Sequence, residues 1–189
     1  MDHKAKFLRI LNTVQRDGIQ NLIAFLEGSD FFTAPASSKY HLSKPGGLVE
    51  HSLNVYNLLE GKLEGFWIVY GLWLKEKVPK TPHPNDSIII IGLLHDLCKI
   101  GLYKEGGEPE LPIVYSVDDS FPLGHGEKSV SIIQEYIKLT NEERLAIRWH
   151  MGPFGLSQED MLFYREAQKM PLVTLLFTAD YEASNILEA

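Results

Sequence analysis

The sequence predicts an all-α protein, a single-domain helical bundle over residues 1–189 with a small hairpin or flap near 102–117. Apolar residues recur three and four apart through most of the chain, the period of a helix with one buried stripe. Glycine, proline and capping residues fall between these stretches. Apolar residues make up 44% of the 189, enough for one core, and no repeat or linker divides them.

From Ala5 to Leu26 the helical period runs through Phe7, Leu11, Val14, Leu22 and Leu26, with Asp17-Gly18 as a break, giving one or two helices. Ser29 to Gly47, holding Pro35, Pro45, Gly46 and Gly47, reads as a long loop, and long ordered loops often carry function. Leu48, His51, Val55 and Leu58 then form a stripe with a histidine inside it. An aromatic-rich helix follows over Phe66 to Glu76, before a turn around Pro79, Pro82 and Pro84. Asp86 or Ser87 caps a helix from Ile88 to about Lys99, which Gly101 ends. Gly106-Gly107 sits between two short alternating segments, the pattern of a hairpin. Helices resume over Glu127–Ile137 and Asn141–His150, the latter with a Thr140/Glu143 capping box. Two more run over Gln158–Gln168 and from Pro171, a first-turn proline, to about Leu187.

The net charge of -7 argues against a protein that holds long nucleic acid by its own electrostatics, because phosphate backbones are gripped mainly by Lys and Arg. With Cys98 as the single cysteine, no internal disulfide and no cysteine-rich zinc site can form, so nitrogen and oxygen are the expected metal donors and Cys98 reads as structural. The N-terminus leads into an amphipathic pattern, not an apolar signal core, and no apolar run approaches a bilayer's thickness. A soluble cytoplasmic protein without membrane partners is the expectation.

The chemistry concentrates where charge interrupts apolar helices. In Ile88-Ile89-Ile90-Ile91-Gly92-Leu93-Leu94-His95-Asp96 an apolar helix ends in a His-Asp pair, and Asp180 interrupts Leu172–Tyr181 in the same way. A desolvated carboxylate costs several kcal/mol unless hydrogen bonds or a cation compensate it. On this reading the Asp96 charge burdens the metal-free fold. Asp96 also admits a structural reading, paired with an Arg or a helix N-terminus, and His51 alone could be a satisfied core histidine. Together His51, His95, Asp96 and Asp180 supply two imidazoles and two carboxylates from three helices, a set suited to Mn, Fe, Co, Ni, Zn or Mg.

His51, then His95-Asp96, then Asp180 resembles the H…HD…D pattern of the HD superfamily, all-helical metal-dependent phosphohydrolases, over roughly Gly47 to Ala183. The resemblance implies one or two divalent ions. His125 and His150 match the positions that complete a second site, with Asp96 bridging, although some two-metal relatives have a consecutive histidine pair where this chain has His150-Met151. It also implies that Asp96 orients a metal-activated water and that Lys99 contacts a substrate phosphate, with Arg148, Lys44 and Lys128 as weaker phosphate-binding candidates. Read without the family, Lys99 neutralises Asp96 or is a solvated cation, and His125 and His150 are helix-end residues.

The expected activity is hydrolysis of a phosphate ester in a phosphorylated small molecule, foremost a nucleotide or cyclic nucleotide. Phe31-Phe32-Thr33-Ala34-Pro35-Ala36 and Gly46-Gly47-Leu48-Val49-Glu50-His51 also resemble the HD region of certain bacterial 3'-to-5' exoribonucleases, so single-stranded RNA or DNA is the alternative substrate. A non-catalytic nucleotide sensor is the third reading. The Gly-Tyr-Pro element of one cyclic-dinucleotide phosphodiesterase branch is missing, and the stretch directly after His95-Asp96, Leu97-Cys98-Lys99-Ile100, does not supply the Glu-Asp pair associated with guanosine-tetraphosphate hydrolases.

Overall fold

The computed structural model describes residues 2–74, 84–106 and 113–189. Its helices are α1 (His3–Leu11), α2 (Ile19–Gly28), α3 (Gly47–Leu74), α4 (Pro84–Leu94), α5 (His125–Gln134), α6 (Asn141–Arg148), α7 (Gln158–Ala167) and α8 (Pro171–Glu182). A 3-10 turn, Leu97–Lys99, follows α4, and a π turn, Ala183–Leu187, follows α8. Strands β1 (Tyr103–Gly106) and β2 (Val114–Val117) pair antiparallel, Tyr103 opposite Val117 and Gly106 opposite Val114, where the sequence places the hairpin. The protein is mostly helical. No helix among the described residues is long and apolar enough to cross a membrane.

Gly18 separates α1 from α2 with a φ of +87°, a left-handed conformation that costs glycine little. The stripe at Leu48 does not end before a separate aromatic helix; α3 runs unbroken from Gly47 to Leu74. Glu76, the prolines Pro79 and Pro82, and Gly107 of the expected hairpin turn lie outside the described residues.

Helix α4 is the hub. Ile88, Ile89, Ile90, Ile91, Leu93 and Leu94 are all buried, and the helix packs against α1, α3, α6 and α8. Gly92 lets α3 come close: a β-carbon there would lie 3.0 Å from Tyr56 Cα. Burying about 100 Å² of aliphatic side chain is worth roughly 2–3 kcal/mol at ~25 cal/mol/Å², so this run anchors the fold.

Asp86 and Ser87 do not cap α4. Both sit inside its first turns, where Asp86 Oδ2 accepts from Gln15 N (2.9 Å) and Ser87 Oγ donates to Glu143 Oε1 (2.6 Å). The capping box at α6 is present, and its buried Glu143 also receives Arg16 at 2.6 Å, joining the α1–α2 segment to α4 and α6. Helix α4 stops at Leu94, five residues before the predicted end, so His95 and Asp96 occupy a turn before the 3-10 segment. Gly101 follows that segment with a φ of +66°, as a terminating glycine should.

Gly126, next to His125, lies against the Arg148 carbonyl, which leaves no room for a β-carbon and brings the start of α5 onto the end of α6. Gly126→Ala is therefore expected to destabilise the protein by about 1–3 kcal/mol, the range for overpacking. Gly61→Ala, in an open part of α3, should instead stabilise by about 0.5–1 kcal/mol. Urea unfolding of both variants checks the pair; a neutral Gly126→Ala would mean that α5 and α6 are not tightly apposed.

Candidate metal centre

Four elements deliver the predicted residues to one place. Helix α3 carries His51, the turn after α4 carries His95 and Asp96, the turn after α6 carries His150, and the last turn of α8 carries Asp180. His51, His95, Asp96, His150 and Asp180 are all buried, Asp180 being the most exposed of them at 8%.

One local device places two of the imidazoles. His95 Nδ1 lies 3.0 Å from the Gly92 carbonyl and His150 Nδ1 lies 2.7 Å from the Ile147 carbonyl, in each case three residues back at the end of a helix. A carbonyl only accepts, so each Nδ1 donates, which fixes the ring and directs each Nε2 into the centre. Such carbonyls lack partners at a helix end, so the same bonds complete the helix. His51 is fixed by a side chain instead, with Nδ1 3.0 and 3.1 Å from the Glu188 carboxylate, which Asn54 Nδ2 also holds at 2.9 Å.

The converging atoms are spaced as ligands would be. His51 Nε2 lies 3.4 Å from His95 Nε2, 3.2 Å from Asp180 Oδ1 and 3.5 Å from Asp96 Oδ2, and His95 Nε2 lies 3.6 Å from the same Oδ2. Nitrogen and oxygen donors about 2.0–2.2 Å from one ion are separated by about 3.0–3.5 Å in octahedral to tetrahedral arrangements. His150 Nε2 is 3.4 Å from Asp96 Oδ1 and has no hydrogen-bond partner. A buried polar atom without a partner costs about 1–3 kcal/mol, a deficit that a bound cation would remove. These His and Asp groups are thus close enough to hold a divalent ion, and the residues fit one.

In the metal-free protein protons and Lys99 take the cation's part. Burial lowers the His51 imidazole, but hydrogen bonds to Asp180 and Glu188 outweigh it and raise its pKa to about 9. Burial pushes His95 down to about 4, so it is neutral. Burial alone would raise Asp96, yet Lys99 and the neighbouring histidines hold it well below the usual carboxylate range. Lys99 Nζ sits 2.6 Å from Asp96 Oδ2 and is itself buried. The Asp96 charge is therefore compensated without metal, contrary to the sequence-based expectation, because the 3-10 turn folds Lys99 back over it.

A cavity of about 670 Å³ opens onto the centre, lined by His51, Asp96, Lys99, His125, His150 and Asp180. Phe154 and Tyr181 stack on its wall with centroids 5.9 Å apart and planes at 17°, and Phe177 tilts against both. Gly152, at a φ of +71°, gives the turn after His150 room for the Phe177 ring. The other predicted phosphate binders are engaged elsewhere. Arg148 pairs with Glu127 (2.9 Å) and stacks on Trp149, Lys44 pairs with Glu50 (2.8 Å), and Lys128 pairs with Asp119 (2.8 Å). Among the described residues Lys99 is the lysine or arginine that lines the cavity.

His125 is exposed at the start of α5, where its Nδ1 lies 3.0 Å from Cys98 Sγ. Sequence reasoning missed three residues: Cys98 as a potential donor, Glu188, and His41, which meets the His51 ring at a centroid distance of 5.0 Å. For Glu188 a signal existed. Asp180, Ser184 and Glu188 follow at four-residue steps in the sequence, although α8 ends at Glu182 and Glu188 lies just past the π turn, and Ser184 Oγ donates to Asp180 Oδ1 at 3.3 Å. His41 and Cys98 carry no such periodic mark. Comparison of the chain with protein-family models, curated proteins and solved structures finds no match.

Two outcomes follow from these charges. The folded pKa of His51, about 9, exceeds its ordinary 6.5, so its contribution to metal-free stability is fully present below pH 6.5 and is lost as pH rises through 9. Melts of metal-free wild type and Glu188→Gln from pH 6 to 10 should show a gap that narrows above pH 9; a constant gap would contradict a protonated His51. Asp96→Asn strands the buried Lys99 and should destabilise the metal-free protein by about 3–5 kcal/mol, with Lys99→Met added to it recovering part. Denaturant titration in chelator decides this, and an unaffected Asp96→Asn would mean that the pair does not form.

Proposed function

We propose that this protein is a divalent-metal-dependent phosphohydrolase of the HD type that cleaves a phosphate ester in a small phosphorylated molecule, foremost a nucleotide or cyclic nucleotide. One observation carries the reading. Three buried imidazoles turn their Nε2 atoms toward Asp96 and Asp180 at the floor of an open cavity, in the order His51, His95-Asp96, Asp180 that the family pattern requires.

His51, His95, Asp96 and Asp180 would hold the principal ion, and His125 and His150 stand on the side of a second. A divalent ion bound there supplies Lewis acidity and lowers the pKa of water toward about 7, making a nucleophile available at neutral pH. Asp96 faces both donor groups, Oδ2 toward His51 and His95 and Oδ1 toward His150. Lys99, on the cavity wall beside Asp96, offsets negative charge on a phosphoryl group. The Phe154–Tyr181 stack offers a flat apolar surface for a planar base.

The small-molecule reading is favoured over a 3'-to-5' exonuclease because Lys44, Lys128 and Arg148 are each committed to a carboxylate. Among the described residues the cavity therefore has no basic track of the kind a nucleic-acid backbone needs. A non-catalytic sensor leaves the convergent Nε2 atoms without a purpose.

The purified protein is expected to contain a transition metal, and chelation should abolish hydrolysis of bis-p-nitrophenyl phosphate or of nucleotides, with Mn, Co or Ni restoring it. His51→Ala and Asp180→Ala should each lower metal affinity at least tenfold. Elemental analysis beside the activity assay is the test, and full turnover by rigorously metal-free protein would exclude the proposal.

A further inference from the structure

Beyond the nitrogen and oxygen donors, we infer that Cys98 is a metal ligand, its thiolate joining His125 and Asp96 in a sulfur-containing cation subsite that prefers zinc, cobalt or iron to magnesium. The inference rests on the metal-centre reading above, because Asp96 belongs to both donor groups.

Cys98 Sγ is 3.0 Å from His125 Nδ1 and 3.9 Å from Asp96 Oδ1, and one donor atom from each of the three residues lies within 4.8 Å of the others. Main chain holds the pieces together. Cys98 N donates to Ser129 Oγ at 3.0 Å, tying the 3-10 turn to α5, and Gly126 seats the start of α5 against the Arg148 carbonyl. An independent sign of a missing cation lies on the same carboxylate oxygen. His150, 1% exposed, aims an unpartnered Nε2 at Asp96 Oδ1 from 3.4 Å.

Sulfur and nitrogen donors at about 2.3 and 2.0–2.1 Å from one tetrahedral ion stand about 3.5 Å apart, so binding requires His125 to withdraw by about half an ångström. His125 is exposed and has room for it. Thiolate selects soft and borderline ions, whereas magnesium prefers oxygen. On binding, the Cys98 S–H proton is released to solvent and the sulfur lone pair forms the metal bond. A neutral thiol donating to His125 Nδ1 would also produce the 3.0 Å contact, and serine would preserve that bond while losing the metal ligand.

Cobalt(II) titration of the full chain, followed by absorption and elemental analysis, separates the two. The wild type should bind two equivalents, the second bringing a sulfur-to-cobalt charge-transfer band in the near ultraviolet that excess magnesium does not remove. Cys98→Ser should lose the band and the second equivalent yet retain the first, and His125→Ala should weaken the second about tenfold or more. Cobalt bound without the band, or Cys98→Ser keeping both equivalents, would overturn the inference and leave the nitrogen and oxygen centre standing. A chain that binds no cobalt would overturn both.

Discussion

A buried, ionised carboxylate is the constraint on which this structure turns. Asp96 stands at the end of an apolar helix that anchors the core, and taking such a charge out of water costs several kcal/mol. The surrounding residues answer that cost. Lys99 folds back at 2.6 Å, imidazoles approach from two directions, and the metal-free centre keeps an extra proton on His51. A site balanced in this way can be assembled during folding with its charges already compensated, so the core does not require an ion in order to form.

Helix α4 shows why fold and site are difficult to separate. Its apolar run fixes the positions of α1, α3, α6 and α8, and the turn where it ends carries His95 and Asp96. Because α3 crosses closely at Gly92 and α8 packs on both, His51 and Asp180 face that turn without any loop having to reach inward. Donors supported by packed helices are held more accurately than donors on loops, which suits a centre whose atoms must agree to within a few tenths of an ångström.

Much of this was legible in the sequence. Helical periodicity located the elements, and polar residues breaking apolar runs located His51, Asp96 and Asp180, because burial and charge conflict wherever they coincide. Periodicity could not show that α4 stops at Leu94, since Leu97 and Cys98 prolong the apolar pattern while the backbone tightens into a 3-10 turn. That turn brings Lys99 onto Asp96 at 2.6 Å, which selects, for the metal-free protein, the reading in which Lys99 neutralises Asp96. The pairing of Lys44 and Arg148 was hidden for a related reason: a cation's availability depends on its nearest carboxylate, and Glu50, Glu127 and Asp160 reach them across distances that local patterning does not encode.

The means of orienting the histidines differ in their exposure to mutation. His95 and His150 are aligned by main-chain carbonyls, which every amino acid possesses, so no substitution at Gly92 or Ile147 can delete the acceptor itself. His51 relies on the Glu188 side chain, which a single codon change can remove. Genetic drift can therefore retune one edge of the centre, through Glu188, while the His95 and His150 edge stays buffered. Changes in the charge and pH response of the centre should accumulate at the α8 end of the site before its central architecture is lost.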